Sequence, residues 1–268
     1  MRFLSACLSG LFVFSACTVR KNQSVLQSSD PPLGASIFIA ACESQGKSDD
    51  VLLAKSLMQS VLANDCPSAW TKLQGTTQIM LVGYGLRDVK LLTLFPHVKE
   101  VYLNNNVIED LKPFASLKAL KKLNLSFNEI SDLRGLGNLS DLSELVLLGN
   151  KIEKLTPLVS LPNLKTLDVS ENSLQDIAAV GSIKSLASFA ASDNAIKDLS
   201  PLEGLNDLEQ LHIERNQVKS LKPISNLAHL IPKRLKLEGN PLTKEGCPTG
   251  GASAAVTSYC LALRGIAP

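Results

Sequence analysis

Apolar and polar positions recur along most of this chain with a fixed period. Asn106, Asn128, Asn150, Asn172, Asn194 and Asn216 follow one another at steps of 22 residues, and Asn240 comes after a step of 24. Five positions before each Asn stands an apolar residue: Val101, Leu123, Leu145, Leu167, Phe189, Leu211 and Leu235. Three before stand Leu103, Leu125, Leu147, Val169, Ala191, Ile213 and Leu237, and two after stand Ile108, Ile130, Ile152, Leu174, Ile196, Val218 and Leu242. A further unit, with Ile79, Leu81 and Leu86, precedes these and carries Tyr84 at the Asn position. A period near 22 predicts a stack of about eight small units over residues 76–242, not one core folded on itself.

Within a unit the pattern L-x-L-x-x-N-x-I starts with strand alternation, so two side chains point inward and those between point outward. The turn that follows leaves backbone groups inside the stack that need partners. An Asn side chain both donates and accepts, so a column of them can supply those partners. The rest of the unit runs D-L-x-P-L-x-x-L-x-x-L, as in Asp198-Leu199-Ser200-Pro201-Leu202. Pro113, Pro157, Pro201 and Pro223 suit the first position of a short helical turn, where a missing N–H costs little. Too few residues remain for a long helix, so short 3₁₀ turns are expected there.

These motifs resemble the leucine-rich repeat, in the 22-residue bacterial form seen in internalins, over roughly two thirds of the chain. The resemblance implies an α/β solenoid: a parallel concave sheet, short 3₁₀ turns on the convex side and helical caps at both ends. It implies little about the ligand, because one scaffold serves many partners.

The flanks complete the expected organisation. Residues 1–16 read as an export signal: Arg2, an apolar run from Phe3 to Phe14, then Ser15 and Ala16. Val13-Phe14-Ser15-Ala16-Cys17 resembles a bacterial lipobox, which implies lipid attachment at Cys17. An ordinary cleaved signal or an uncleaved anchor are the alternatives, although the run is shorter than the roughly 20 residues a spanning helix needs. Residues 17–40, polar and with Pro31-Pro32, are expected to be a flexible tether. Residues 41–75 should form an N-terminal cap around one helix at 48–63, begun by Ser48-Asp49-Asp50, and residues 243–268 a C-terminal cap with a helix at 253–263. Cys42, Cys66, Cys247 and Cys260 flank the repeats, two on each side. In an oxidising compartment the economical pairing is Cys42–Cys66 and Cys247–Cys260. Four free thiols are the alternative, and neither pair has the short spacing of zinc ligands.

Composition narrows the function. The chain is 45% hydrophobic but only 4% aromatic, as thin stacked layers require, and its formal charge is +2. Loss of Arg2 with the leader leaves about +1, without the clustered excess of Lys and Arg that nucleic acid would call for. No Gly-rich phosphate loop, HExxH or GxSxG pattern occurs, and no cofactor or metal is expected. His97 and His229 fall in turns. His212 shares a strand face with Glu214, one strand from Ser192, and is read as a polar residue on the surface of a sheet, not as a catalytic group.

The outward strand positions are the better candidates. One column reads Met80, Tyr102, Asn124, Val146, Asp168, Ala190, His212, Lys236, and the next Val82, Asn104, Ser126, Leu148, Ser170, Ser192, Glu214, Glu238. Met80, Val82, Tyr102, Val146 and Leu148 form an apolar half that is expected to bind a ligand, since exposed apolar patches mark partner sites. Phe127 is set aside as turn packing. The expectation is a monomeric, lipid-anchored protein of the cell envelope, favouring an outer membrane, that holds a protein or peptide on its concave sheet. A structural or glycan-contacting envelope role is the alternative.

Overall fold

The computed structural model describes residues 31–264. Eight three- or two-residue strands form one parallel sheet in chain order: β1 (Gln78–Met80), β2 (Glu100–Tyr102), β3 (Lys122–Asn124), β4 (Glu144–Val146), β5 (Thr166–Asp168), β6 (Ser188–Ala190), β7 (Gln210–His212) and β8 (Leu235–Lys236). Equivalent residues of successive units face each other, for example Ile79↔Val101, Val101↔Leu123 and Leu123↔Leu145. A short 3₁₀ turn follows each of β1 to β7 and closes its unit, with Pro inside its first turn at Pro113, Pro157, Pro201 and Pro223. The two-residue insertion before Asn240 becomes one more such turn, Pro232–Arg234, so β8 keeps its register despite the longer step. The inward residues of strands and turns merge into one continuous apolar core along the stack.

The asparagines stitch this stack together, and they do so with a direction. Asn128 donates to the carbonyls of Leu125 (3.0 Å) and Ser126 (3.3 Å) in its own unit, and to Leu103 (3.1 Å) in the unit before. Its Oδ1 accepts the N–H of Ile108, again in the preceding unit (3.0 Å). The same set recurs at Asn106, Asn150, Asn172, Asn194 and Asn216. Each Asn therefore serves its predecessor. The first unit has no predecessor, which explains why Tyr84 is accommodated where every later unit has Asn. The bonds are unequal in weight. The Leu103 carbonyl is shared by Asn106 and Asn128, whereas the Ile108 N–H has Asn128 alone.

A second column secures the turns. Asp88, Asp110, Asp132, Asp176 and Asp198 each accept, through Oδ1, the N–H two residues on, which holds the entry to the 3₁₀ turn. Lys154 interrupts the series in the fourth unit.

The ends are capped as the alternation of neighbours requires, with one difference from expectation. Three helices, not one, cover the first unit: α1 (Leu33–Glu43), α2 (Asp49–Ser60) and α3 (Cys66–Gly75). The tether expected to run to residue 40 thus gives way to helix at Leu33. Pro32 stands at the cap position ahead of the first turn, where it does not interrupt helical bonding, and Ala35, Phe38 and Cys42 bury a face. Residues 1–30, with the expected signal and the lipid-attachment position Cys17, lie outside the described residues. Ser48 caps α2 by position, without a side-chain bond, and Asp49 and Asp50 follow in its first turn. Asp65 caps α3 through the Ser68 N–H (2.7 Å). Phe38 and Trp70 close on Phe95 of the first repeat, with ring centroids 6.0 and 5.5 Å away. Disulfides link Cys42 to Cys66 and Cys247 to Cys260, with Cα–Cα distances of 5.8 and 5.9 Å, so each staples one cap. Helix α4 (Ala254–Leu263) covers the last unit. Among the described residues no helix is long and apolar enough to cross a membrane.

Replacing Asn128 by Ala leaves the Ile108 N–H buried and unpaired, so Asn128→Ala should destabilise by about 2–4 kcal/mol, while Tyr84→Ala should cost less than about 1 kcal/mol. Equilibrium denaturation of both variants checks this.

Candidate functional site

The open face of the sheet is built by alternation: the central residue of each strand is buried and its neighbours face out. The expected apolar residues all lie on it, but not as one patch. Met80 and Val82 are exposed (55% and 42%) and Met80 stands in register with Tyr102. Val146 and Leu148 are half-buried. Asn124 lies between Tyr102 and Val146 in the register, so polar β3 separates two apolar islands. Ser126, the other outward residue there, is buried and donates to Asn124 Oδ1 (2.8 Å).

Tyr102 is fixed in place. Its hydroxyl donates to Glu100 Oε2 (3.1 Å), which also accepts from Gln78 Nε2 (3.0 Å), while Lys122 lies 3.4 Å from the other oxygen. The Gln78 hydrogen bond, then those of Tyr102 and the Lys122 charge, hold the Glu100 carboxyl below the ordinary value of 4.5. Partial burial, then the bond to Glu100, pushes the Tyr102 phenol up. Gln78, Glu100 and Lys122 belong to a third outward column, one that reading the L-x-L pair alone passes over.

A fourth column was also missed. The residue before each ladder position adopts a left-handed backbone: Gly83, Asn105 (φ 61°), Phe127 (55°), Gly149, Glu171 (53°), Asp193 (54°), Arg215 (52°) and Gly239. This is how the strand turns out of the sheet. Glycines at three of the eight positions and Asn at another were the available signal. At Phe127, Glu171 and Arg215 an ordinary side chain is held there at a cost of about 1–2 kcal/mol each. The column projects side chains over the edge of the sheet. Phe127 is 46% exposed, and its ring covers Gly149, where an added Cβ would stand 2.5 Å from Cδ1. This is the turn packing expected of it, and the ring is also partly exposed next to β4, where the Phe127 N–H donates to the Leu148 carbonyl (2.7 Å). Arg215 meets Asp193 in a two-pronged ion pair that holds the Asp193 carboxyl below its ordinary value of 3.8.

The second half of the face is polar. Ser192 Oγ donates to Glu214 Oε2 (2.6 Å), so the hydroxyl near His212 is engaged by a carboxylate and not by the imidazole. His97 Nε2 lies 3.1 Å from the Leu73 carbonyl, at the cap. Among the described residues no three His, Cys, Asp or Glu side chains gather to hold a metal. Two furrows of about 750 and 730 Å³ lie on the turn side, sharing Glu153, Lys154 and Thr156, and none of these three is buried.

Gly149→Ala should cost well over 1 kcal/mol in the presence of Phe127, and only about 1 kcal/mol when Phe127 is already Ala, because the steric part disappears with the ring. A double-mutant cycle reads this directly. Acid should also act on the face. The Glu100 and Asp193 pKa values are lower folded than unfolded, so their contribution is present above about pH 4.5 and is lost as pH falls through the folded values. Denaturation midpoints should stay level from about pH 7 to 5 and fall below about pH 4.

Comparison with known proteins agrees with this geometry. A model of leucine-rich repeats (two copies) matches residues 96–138 and 118–160, and a single leucine-rich repeat model matches residues 160–180. The crystal structure of internalin C2 from Listeria monocytogenes str. 4b F2365 superposes with a TM-score of 0.69 at 22% identity, over 76% of this chain and 88% of that one. A leucine-rich repeat protein of Leptospira interrogans superposes with a TM-score of 0.61 at 24% identity, over 74% of this chain and 50% of that one. No curated protein matches the sequence. The fold is that of a leucine-rich repeat solenoid.

Proposed function

We propose that this protein is an exported, lipid-anchored binding module that holds a protein or peptide ligand on the open face of its sheet, without catalysis. Leucine-rich repeat proteins in general mediate protein–protein interaction, and the repeats here are of that kind. The observation that carries the reading is the first half of the face, where Met80 and Val82 are exposed beside an immobilised Tyr102, and Phe127 is exposed near Leu148. A soluble protein gains nothing in stability from apolar side chains left in water at these positions, and a preformed sheet loses little entropy when a ligand covers it. Export is supported by the apolar leader ahead of Cys17 and by two disulfides, which persist in oxidising compartments. Lipid at Cys17 would fix the protein to a membrane of the envelope, with an outer membrane the favoured one.

Tyr102→Ala and Leu148→Ser should each weaken capture of an envelope protein by about 10-fold or more with little change in unfolding midpoint. Capture that survives both, or recovery of glycan only, would contradict the ligand reading. Radiolabelled palmitate should enter the wild-type protein in cells and not Cys17→Ala; equal labelling would refute the anchor.

A further inference from the structure

A sheet built by stacking has two open edges, and each edge is a row of backbone groups that the stack itself does not pair. In the units of β1 to β7 the N–H three places before the ladder position donates to the next strand, as Leu81 does to Tyr102 (2.8 Å), Leu125 to Val146 (2.8 Å) and Ile213 to Lys236 (3.0 Å). The residue two places on donates in the same direction, as Phe127 does to Leu148 (2.7 Å) and Arg215 to Glu238 (2.7 Å). At β8 the equivalent donors are Leu237 and Gly239, and no strand follows β8 in the sheet. The Leu237 N–H is taken by its own neighbour: Glu238 bends over the edge and accepts it through Oε2 (3.0 Å). Glu214, the equivalent residue one unit earlier, instead reaches back to the Ser192 hydroxyl of the preceding unit (2.6 Å). Turning to the edge is therefore particular to Glu238.

The opposite edge carries a matching device. The Gln78 carbonyl, on the free side of β1, accepts the Thr76 hydroxyl (2.9 Å), and α1 to α3 stand over that unit. At the β8 end, α4 packs against the Pro232–Arg234 turn and leaves Lys236, Glu238 and Gly239 exposed. We propose that Glu238 is a guard: its bond to the Leu237 N–H keeps β8 from pairing with β8 of a second copy of this chain, and so keeps the protein monomeric. A second copy is the occupant this edge fits. Two identical edges related by a two-fold axis offer each other the same donors and acceptors, and antiparallel pairing needs no crossover between them. The Leu237 N–H is the donor such pairing would use, and Glu238 already satisfies it. The inference is independent of what the open face of the sheet binds.

Sedimentation equilibrium of the full-length protein in density-matched detergent tests the guard. Glu238→Ala should dimerise at least about 10-fold more tightly than the wild type. Glu238→Gln keeps an acceptor oxygen and should behave as the wild type. If Glu238→Ala fails to fold, Glu238→Val, which also lacks the acceptor and suits a strand, carries the measurement. Amide exchange locates the contact. In Glu238→Ala the Leu237 amide should exchange fast when dilute and gain protection as dimers form, whereas in the wild type its protection should not depend on concentration. Equal association of the wild type and the variants lacking the acceptor would overturn the proposal. So would dimerisation of Glu238→Gln as tight as that of Glu238→Ala, or dimers in which the Leu237 amide stays unprotected.

Discussion

Each ladder asparagine reaches backwards, and the rest of the molecule is arranged around that reach. A parallel solenoid has to turn the chain out of the sheet in every unit, and the turn strands a backbone N–H two residues past the ladder position. The Oδ1 of the next unit's Asn is its partner, as Asn128 is for Ile108 and Asn150 for Ile130. The carbonyl bonds beside it are shared between successive Asn residues, so they are tolerant of loss in a way that the N–H bond is not. Stacking is therefore cooperative and directional: a unit is complete only when its successor is in place. That explains the chemistry of the ends. The first unit owes nothing to a predecessor and needs only its apolar side covered, which α1 to α3 and the Phe38, Trp70 and Phe95 cluster achieve. The last unit has no successor, and the segment stapled by Cys247–Cys260 covers it instead.

The same turn shapes the open face of the sheet. Leaving the strand requires a left-handed residue before each Asn, and glycine meets that need at least cost. Phe127, Glu171, Asp193 and Arg215 stand at these positions with φ between 52° and 55°. The strain at Phe127 is not recovered in the core, because the side chain is left partly in water; it places an aromatic ring above the sheet edge. Asp193 and Arg215 offset part of theirs against each other. Rigidity and display thus have one origin in the backbone: the stack holds the sheet still, and its exit column decides what the sheet presents.

Most of the fold was legible in the sequence because its determinants are local and repeated. The 22-residue step, the apolar columns, the longer step before Asn240 and the Cys pairs each appear in the structure where the pattern placed them. What was not legible depends on neighbours that a linear reading does not weigh. Helix α1 was obscured by Pro31, Pro32 and Gly34, which read as linker until Phe38 and Cys42 are seen buried against the cap. Asn124, by contrast, was visible in the column between Tyr102 and Val146, and the register keeps it there, so the apolar residues grouped as one half fall into two islands. The left-handed column was hidden by its own exceptions, since Phe, Glu and Arg give no sequence signal for positive φ.

The directional ladder is tested most directly by amide hydrogen exchange in Asn128→Ala under native conditions. The account predicts that protection is lost selectively at the Ile108 amide, in the unit before the substitution, while the Ile130 amide, which Asn150 serves, stays protected. Equal loss at Ile108 and Ile130, or loss at Ile130 alone, would contradict it.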